Sequence, residues 1–178
     1  MTKQKGVQMK PELVELLVLA AQEGRSSALS TLYKEFHRPM KRFALLRVGD
    51  VMVAEDLVQN VWIKVDKRLT RLNDVSLFRS WLYRALRWEV TDWLRAQQKL
   101  SYQAPPEAEL PSPDIGLRDL PKLIQQLSED ERDVVELFYL NELSLSETAL
   151  SLNLPEGTVK SRLSRARAKL KQLFEQPE

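Results

Sequence analysis

Residues 144–174 read SLSETALSLNLPEGTVKSRLSRARAKLKQLF. Ser144 with Glu147 three positions on is a capping box, in which hydroxyl and carboxylate each satisfy a backbone N–H that the first helical turn leaves unpaired. Asn153 suits the end of that helix, because Asn tolerates the left-handed backbone. Pro155 suits the first turn of the next one. The segment is therefore a short helix, a tight turn and a long helix running to about Phe174, the outline of a helix-turn-helix.

On a 3.6-residue period the long helix has two faces. Val159, Leu163, Ala166 and Leu170 form a stripe that must face a core. Ser161, Ser164, Arg165 and Ala168 lie opposite, with Lys160, Arg162, Arg167 and Lys169 on the flanks. Small hydroxyls between long cations can enter a major groove without steric conflict, while the cations reach phosphates on both sides. A solvated basic helix would carry the same charges. Lys169 and Lys171 also suit the negative end of the helix dipole without any DNA. Arg165, nearer the positive end, has no such reason to be there.

Working back along the chain, Ser128 with Glu131 is a second capping box. Before it, Ser101 to Ile115 holds Pro105, Pro106, Pro111 and Pro113 with Glu107, Glu109 and Asp114. Such a stretch has little to form a core and is expected to be an extended linker. The first hundred residues show apolar side chains at three- and four-residue spacing, which predicts helices near 11–23, 27–48, 51–67 and 77–99. Pro39 is expected to kink or break the second helix. Gly49-Asp50 reads as a stop followed by a new N-cap. The fold class is all-α: two small helical domains, 11–100 and 116–175, joined by a Pro-rich acidic linker, 101–115, with the second domain a helix-turn-helix.

Composition excludes several kinds of chemistry. The chain has no cysteine, and its one histidine is His37. Disulfides, thiolate metal sites and Cys nucleophiles are absent, and His-based zinc sites or triads are close to excluded. There is no phosphate loop or nucleophile–base set, so no catalytic residue, metal or cofactor is expected. Glu55 and Asp56 are adjacent carboxylates, but neighbouring side chains on a helix diverge. The net charge is only +2, so nucleic-acid binding must come from local clustering. Leu13 to Ala21 follows three lysines, like a signal peptide, yet Glu12 and Glu15 sit at its start and no clean cleavage site follows. No stretch approaches the roughly 18 apolar residues of a membrane span. A soluble cytoplasmic protein is expected.

The segments Leu127 to Tyr139, Leu143 to Ala149 and Leu154 to Arg167 resemble region 4 of extracytoplasmic-function sigma factors, the small initiation factors of bacterial RNA polymerase. Gly157 to Arg167 is close to the family signature. The first half resembles region 2. Ala54-Glu55-Asp56-Leu57-Val58-Gln59-Asn60-Val61-Trp62 is similar to the polymerase-binding helix. Phe78 to Leu82 and Asp92 to Arg95 are similar to the helix that handles the promoter's −10 element. Two motif sets in the family's order span roughly 20–100 and 116–174.

The resemblance implies promoter-specific transcription initiation, with core RNA polymerase and promoter DNA as partners: duplex at the −35 element, melted strands at the −10 element. An anti-sigma factor is a further implied partner. Asp56, Leu57, Gln59 and Asn60 would face a coiled coil of the polymerase clamp. The residue pattern alone turns Ala54, Leu57, Val58, Val61 and Val65 inward and leaves Asp56, Gln59, Asn60 and Ile63 as a mixed outer strip suited to a helix–helix interface. The family usually has an acidic residue where Asn60 stands.

In the turn from Leu69 to Ser76, Asn73 would read a flipped base in the family, whereas Asn73-Asp74 could equally cap the next helix. Beyond it, Arg84, Arg87 and Arg95 lie among Trp81, Tyr83, Trp88 and Trp93, cations interleaved with rings as a separated strand requires. Trp81, Leu82 and Ala85 suit a core, and Trp88 and Trp93 fit either DNA or a neighbouring helix. The family commonly has Asn at the Trp88 position. For the −35 element, the resemblance implies Lys160, Ser161, Ser164 and Arg165 near bases, with Arg162 and Arg167 nearer phosphates or structural partners and Thr158 among the residues that meet this element. The competing class is a conventional helix-turn-helix regulator with an N-terminal sensing domain, which would bind DNA without polymerase.

Overall fold

The structure, a computed structural model, describes residues 9–100 and 120–175, which fall into two compact units. It contains eight α-helices and no strand among the described residues. The stretch expected as a linker, 101–115, lies outside them.

The first unit holds α1 (Pro11–Gln22), α2 (Ser26–Val48), α3 (Val51–Arg68) and α4 (Phe78–Leu100), with single 3₁₀ turns at Leu69–Arg71 and Val75–Leu77. Helix α2 packs against the other three. Val14 and Val18 of α1, Leu32, Phe36, Met40 and Phe43 of α2, Ala54, Val58, Val61 and Val65 of α3, and Phe78, Leu82, Leu86 and Val90 of α4 are buried together. These are the i, i+3, i+4 positions of each helix, so one stripe per helix builds the core. Phe36 meets Phe78 edge-on at 5.9 Å, and Phe43 meets Tyr83 at 6.0 Å. Full burial pushes the Tyr83 phenol well above its ordinary pKa.

The turn between α2 and α3 is set locally. Gly49 takes a left-handed φ of 72° and its N–H closes on the Leu45 carbonyl. The Asp50 carboxylate then accepts from the N–H groups of Met52 and Val53. Pro39 does not break the helix: α2 runs on through it to Val48. Proline removes one hydrogen bond to the preceding turn, but Phe36 and Met40 on either side of it are anchored in the core and keep the helix continuous.

The second unit holds α5 (Leu120–Gln125), α6 (Glu129–Val135), α7 (Leu145–Leu152) and α8 (Glu156–Glu175). Both capping boxes form, Ser128 with Glu131 and Ser144 with Glu147. Asn153 takes a left-handed φ of 55° after α7, and α8 starts one residue after Pro155. Helix α6 runs into a widened π turn, Glu136–Leu140. Asn141 closes it by donating from both its backbone N–H and its side-chain amide to the Glu136 carbonyl, each at 2.9 Å. Ile124, Leu127, Val134, Leu137, Leu143, Ala149 and Leu152 form the core with Val159, Leu163 and Ala166 of α8. Leu170, expected in that stripe, is only half-buried, since the three buried α8 residues already complete the contact.

Candidate nucleic-acid interface

Helix α8 packs its Val159, Leu163 and Ala166 face against α6 and α7. Lys160, Ser161, Ser164, Arg165, Arg167 and Ala168 are all exposed on the remaining surface, and Thr158 is half-buried. The Ser161 hydroxyl donates to the Thr158 carbonyl at 2.9 Å, which leaves its oxygen facing outward as an acceptor. Arg162 is different. Its guanidinium lies 2.9 Å from the Asp130 carboxylate, and its side chain is only 18% exposed. Of the two roles open to Arg162, phosphate contact or structural partner, this pairing matches the second: its flank position turns it toward the acidic first turn of α6.

A second tie lies alongside. Lys169 stands 3.9 Å from Glu131. Partial burial pushes the Glu131 carboxyl upward, but hydrogen bonds to Ser128 and the charges of Lys169 and Arg165 bring it below the usual carboxylate value. The first turn of α6 therefore orients the cationic flank of α8.

On α4, Arg84, Trp88 and Arg95 share one face at spacings of four and seven, and all three are exposed. Trp88 is 66% exposed. It lies outside the core, whereas Trp81 and Trp93 are half-buried. Arg87 sits half-buried at the edge of this face. Beside Trp88, Glu89 pairs with Lys64 of α3. In the preceding turn the capping is done by Asp74, whose carboxylate accepts from the Ser76 N–H and hydroxyl. Asn73 is left exposed. No local pattern marks what holds this turn: Gln22 of α1 donates to the carbonyls of Leu69 and Leu72, both at 2.8 Å.

Helix α3 presents Asp56, Gln59, Asn60 and Ile63 outward. Leu57 is 5% exposed and belongs to the packing beneath this strip, not to its surface. The cause is its position, four residues before Val61 and one turn from Ala54 on the buried stripe. The strip also has a member that sequence reasoning missed. Met52, one turn before Asp56, is 78% exposed and Ile63 53%. The signal was available in the i, i+4, i+7, i+11 spacing of Met52, Asp56, Gln59 and Ile63.

Glu55 points away from this strip toward α2. It pairs with Lys41 at 2.7 Å and His37 at 3.1 Å. The Lys41 hydrogen bond holds its carboxyl below the ordinary value, against a smaller upward push from burial. His37 stacks on Tyr33 at 4.7 Å, and Tyr33 meets Trp62 edge-on. Glu55 and Asp56 thus serve different surfaces. Among the described residues no cluster of three potential metal ligands occurs, and no helix is long and apolar enough to cross a membrane.

The family described as Sigma-70 region 2 matches residues 32–100, and Sigma-70, region 4 matches residues 117–170. RNA polymerase sigma factor SigZ of Bacillus subtilis (strain 168) is 30% identical over 154 residues, covering 83% of this chain and 87% of the relative. ECF RNA polymerase sigma factor SigC of Mycobacterium tuberculosis (strain CDC 1551 / Oshkosh) is 30% identical over 164 residues, 88% of each chain. Among solved structures, the sigma factor RpoE of Bartonella quintana, in complex with the anti-sigma factor NepR, superposes with a TM-score of 0.67 at 25% identity, covering 83% of this chain and 99% of that one. CnrH, in complex with the cytosolic domain of CnrY, shares the fold with a TM-score of 0.70 at 23% identity, covering 92% of this chain and 97% of that one.

Proposed function

The chain belongs to the extracytoplasmic-function sigma factors of RNA polymerase, and from that premise we propose which of its surfaces do the work. It directs promoter-specific transcription initiation, with core RNA polymerase, promoter DNA and an anti-sigma factor as partners. The observation that carries this is the presence of both sigma regions, in order, in one chain.

Docking on core polymerase falls to the α3 strip of Met52, Asp56, Gln59, Asn60 and Ile63. Its mixture of exposed apolar groups, two side-chain amides and a single carboxylate suits a helix–helix interface better than a purely solvated face does. Duplex at the −35 element meets α8 through Lys160, Ser161, Ser164 and Arg165, with Arg167 toward phosphate and Thr158 at the rim. Strands separated at the −10 element meet Arg84, Trp88 and Arg95 on α4, with Arg87 at the edge and Asn73 in the turn before it. Cations neutralise the backbone there, and the exposed indole offers a stacking face. Binding separated strands more tightly than duplex biases the promoter toward opening. The two units share one chain, so engagement of either raises the effective concentration of the other. The protein acts as a targeting subunit in the cytoplasm, without reaction chemistry of its own.

The test is capture of core RNA polymerase by the purified protein, followed by run-off transcription from a randomised promoter library. Stable association with promoter-dependent transcripts is expected. Sequence-specific DNA binding by the free protein with no affinity for core would overturn the reading in favour of a conventional regulator.

A further inference from the structure

Gly24, Gly49 and Gly157 are the glycines among the described residues. Gly24 and Gly49 have φ of 87° and 72°, and they follow α1 and α2, where a left-handed residue is needed. Gly157 has no such reason. Its φ is not positive, and a Cβ built on it meets no atom within 4 Å apart from nearby helix backbone. It is exposed in the first turn of α8. Glycine there weakens the helix relative to alanine, and nothing inside the unit needs the space.

Its position on the helix gives the space a use. Ser161, Ser164 and Ala168 follow Gly157 along one face at spacings of four, seven and eleven, and all are exposed. Lys160 and Arg165 stand on either side of this narrow strip. Resting on the reading of α8 as the helix that reads duplex DNA, we propose that Gly157 is a specificity-determining contact. Duplex DNA comes within van der Waals distance of the α8 backbone there, and the missing side chain sets how deeply the N-terminal end of the helix enters the groove. The acidic side chain of Glu156 stands next to Gly157. An uncharged part of the duplex, a base edge or sugar, therefore fits this point better than a phosphate.

The test uses holoenzyme reconstituted from core polymerase and the full chain, with the duplex that wild-type holoenzyme retains from a randomised library as probe. Gly157→Ala is expected to have a thermal midpoint no lower than wild type and unchanged affinity for core. Its affinity for the selected duplex is expected to fall about tenfold, and the slope of binding against salt is expected to stay the same, because no phosphate contact is lost. Wild-type affinity for the duplex, or a lowered thermal midpoint, would overturn the proposal. Arg165→Ala measured in parallel separates the two levels. If both variants bind normally, the reading of α8 fails; if only Gly157→Ala does, the contact at Gly157 alone fails.

Discussion

The Arg162 guanidinium sits 2.9 Å from the Asp130 carboxylate and joins the DNA-facing helix to the first turn of α6. Arg162 is mostly shielded while Asp130 is 61% exposed, so the pair is an intermediate case between surface and buried ion pairs. Arg162→Ala and Asp130→Asn are each expected to lower stability by about 0.5–1 kcal/mol. Equilibrium unfolding at low and high salt, with the double variant closing the cycle, reads the coupling. If Arg162→Ala weakens DNA binding far more than Asp130→Asn does, the arginine is a DNA contact and not a clip.

Arg165 and Arg167 carry the same charge on the same helix but are assigned different work. Arg165→Ala is expected to lose about 1–3 kcal/mol of discrimination between promoter sequences, and Arg167→Ala to weaken binding uniformly and reduce the salt slope by about 1. Competition binding of holoenzyme to selected and scrambled duplexes checks both. Equal losses on both duplexes for Arg165→Ala would remove it from the base-reading set.

Met52 and Ile63 are exposed apolar residues in line with Asp56 and Gln59. The double substitution Met52→Asp with Ile63→Asp is expected to weaken core polymerase binding by about tenfold or more. Helical content and thermal midpoint should be unchanged, because neither side chain packs in the core. Full core affinity in that variant would place the docking surface elsewhere.

Asn153 holds a left-handed backbone at the turn of the helix-turn-helix. Asn153→Ala is expected to cost about 1–2 kcal/mol, while Asn153→Gly should be nearly neutral. Denaturant titration distinguishes them. Equal stabilities for the two variants would mean the turn relaxes to a right-handed conformation.

The Glu55 carboxyl is held below its ordinary value of 4.5 by Lys41. Its ionised form is favoured more in the folded than in the unfolded state. This contribution is fully present above the ordinary value and is lost as pH falls through the lower folded-state one. Unfolding stability measured from neutral to acid pH should therefore drop less steeply in Glu55→Gln than in wild type. Identical acid limbs would show that the Lys41 pairing does not persist in solution.

The parts of the fold legible in sequence are those encoded by adjacent residues. Gly49 with Asp50, Ser128 with Glu131, Ser144 with Glu147 and Asn153 each fix a helix end through bonds reaching two to four positions. The stripe of Val159, Leu163 and Ala166 was legible for the same reason, since periodicity alone sets it. What escaped depends on partners distant in sequence. The continuity of α2 through Pro39 rests on three other helices, and the Arg162–Asp130 pair links positions 32 residues apart. The π turn after α6 follows from Asn141 making two bonds to one carbonyl, which no periodic pattern announces. At the candidate surfaces, spacing gave the facing of Asp56, Gln59, Ser161 and Arg165. It could not decide between DNA and a neighbouring helix for Trp88, because an aromatic at helical spacing suits either.

Gln22 belongs to α1, ten residues before the stretch that matches region 2 begins. Its amide fastens the turn that carries Asn73 by two carbonyls. A protein trimmed to the matched stretch would retain every residue of the turn yet lose its tether. A working version of this half therefore has to keep α1 as well as the matched stretch, because the Gln22 tether and the buried Val14 and Val18 all lie ahead of it.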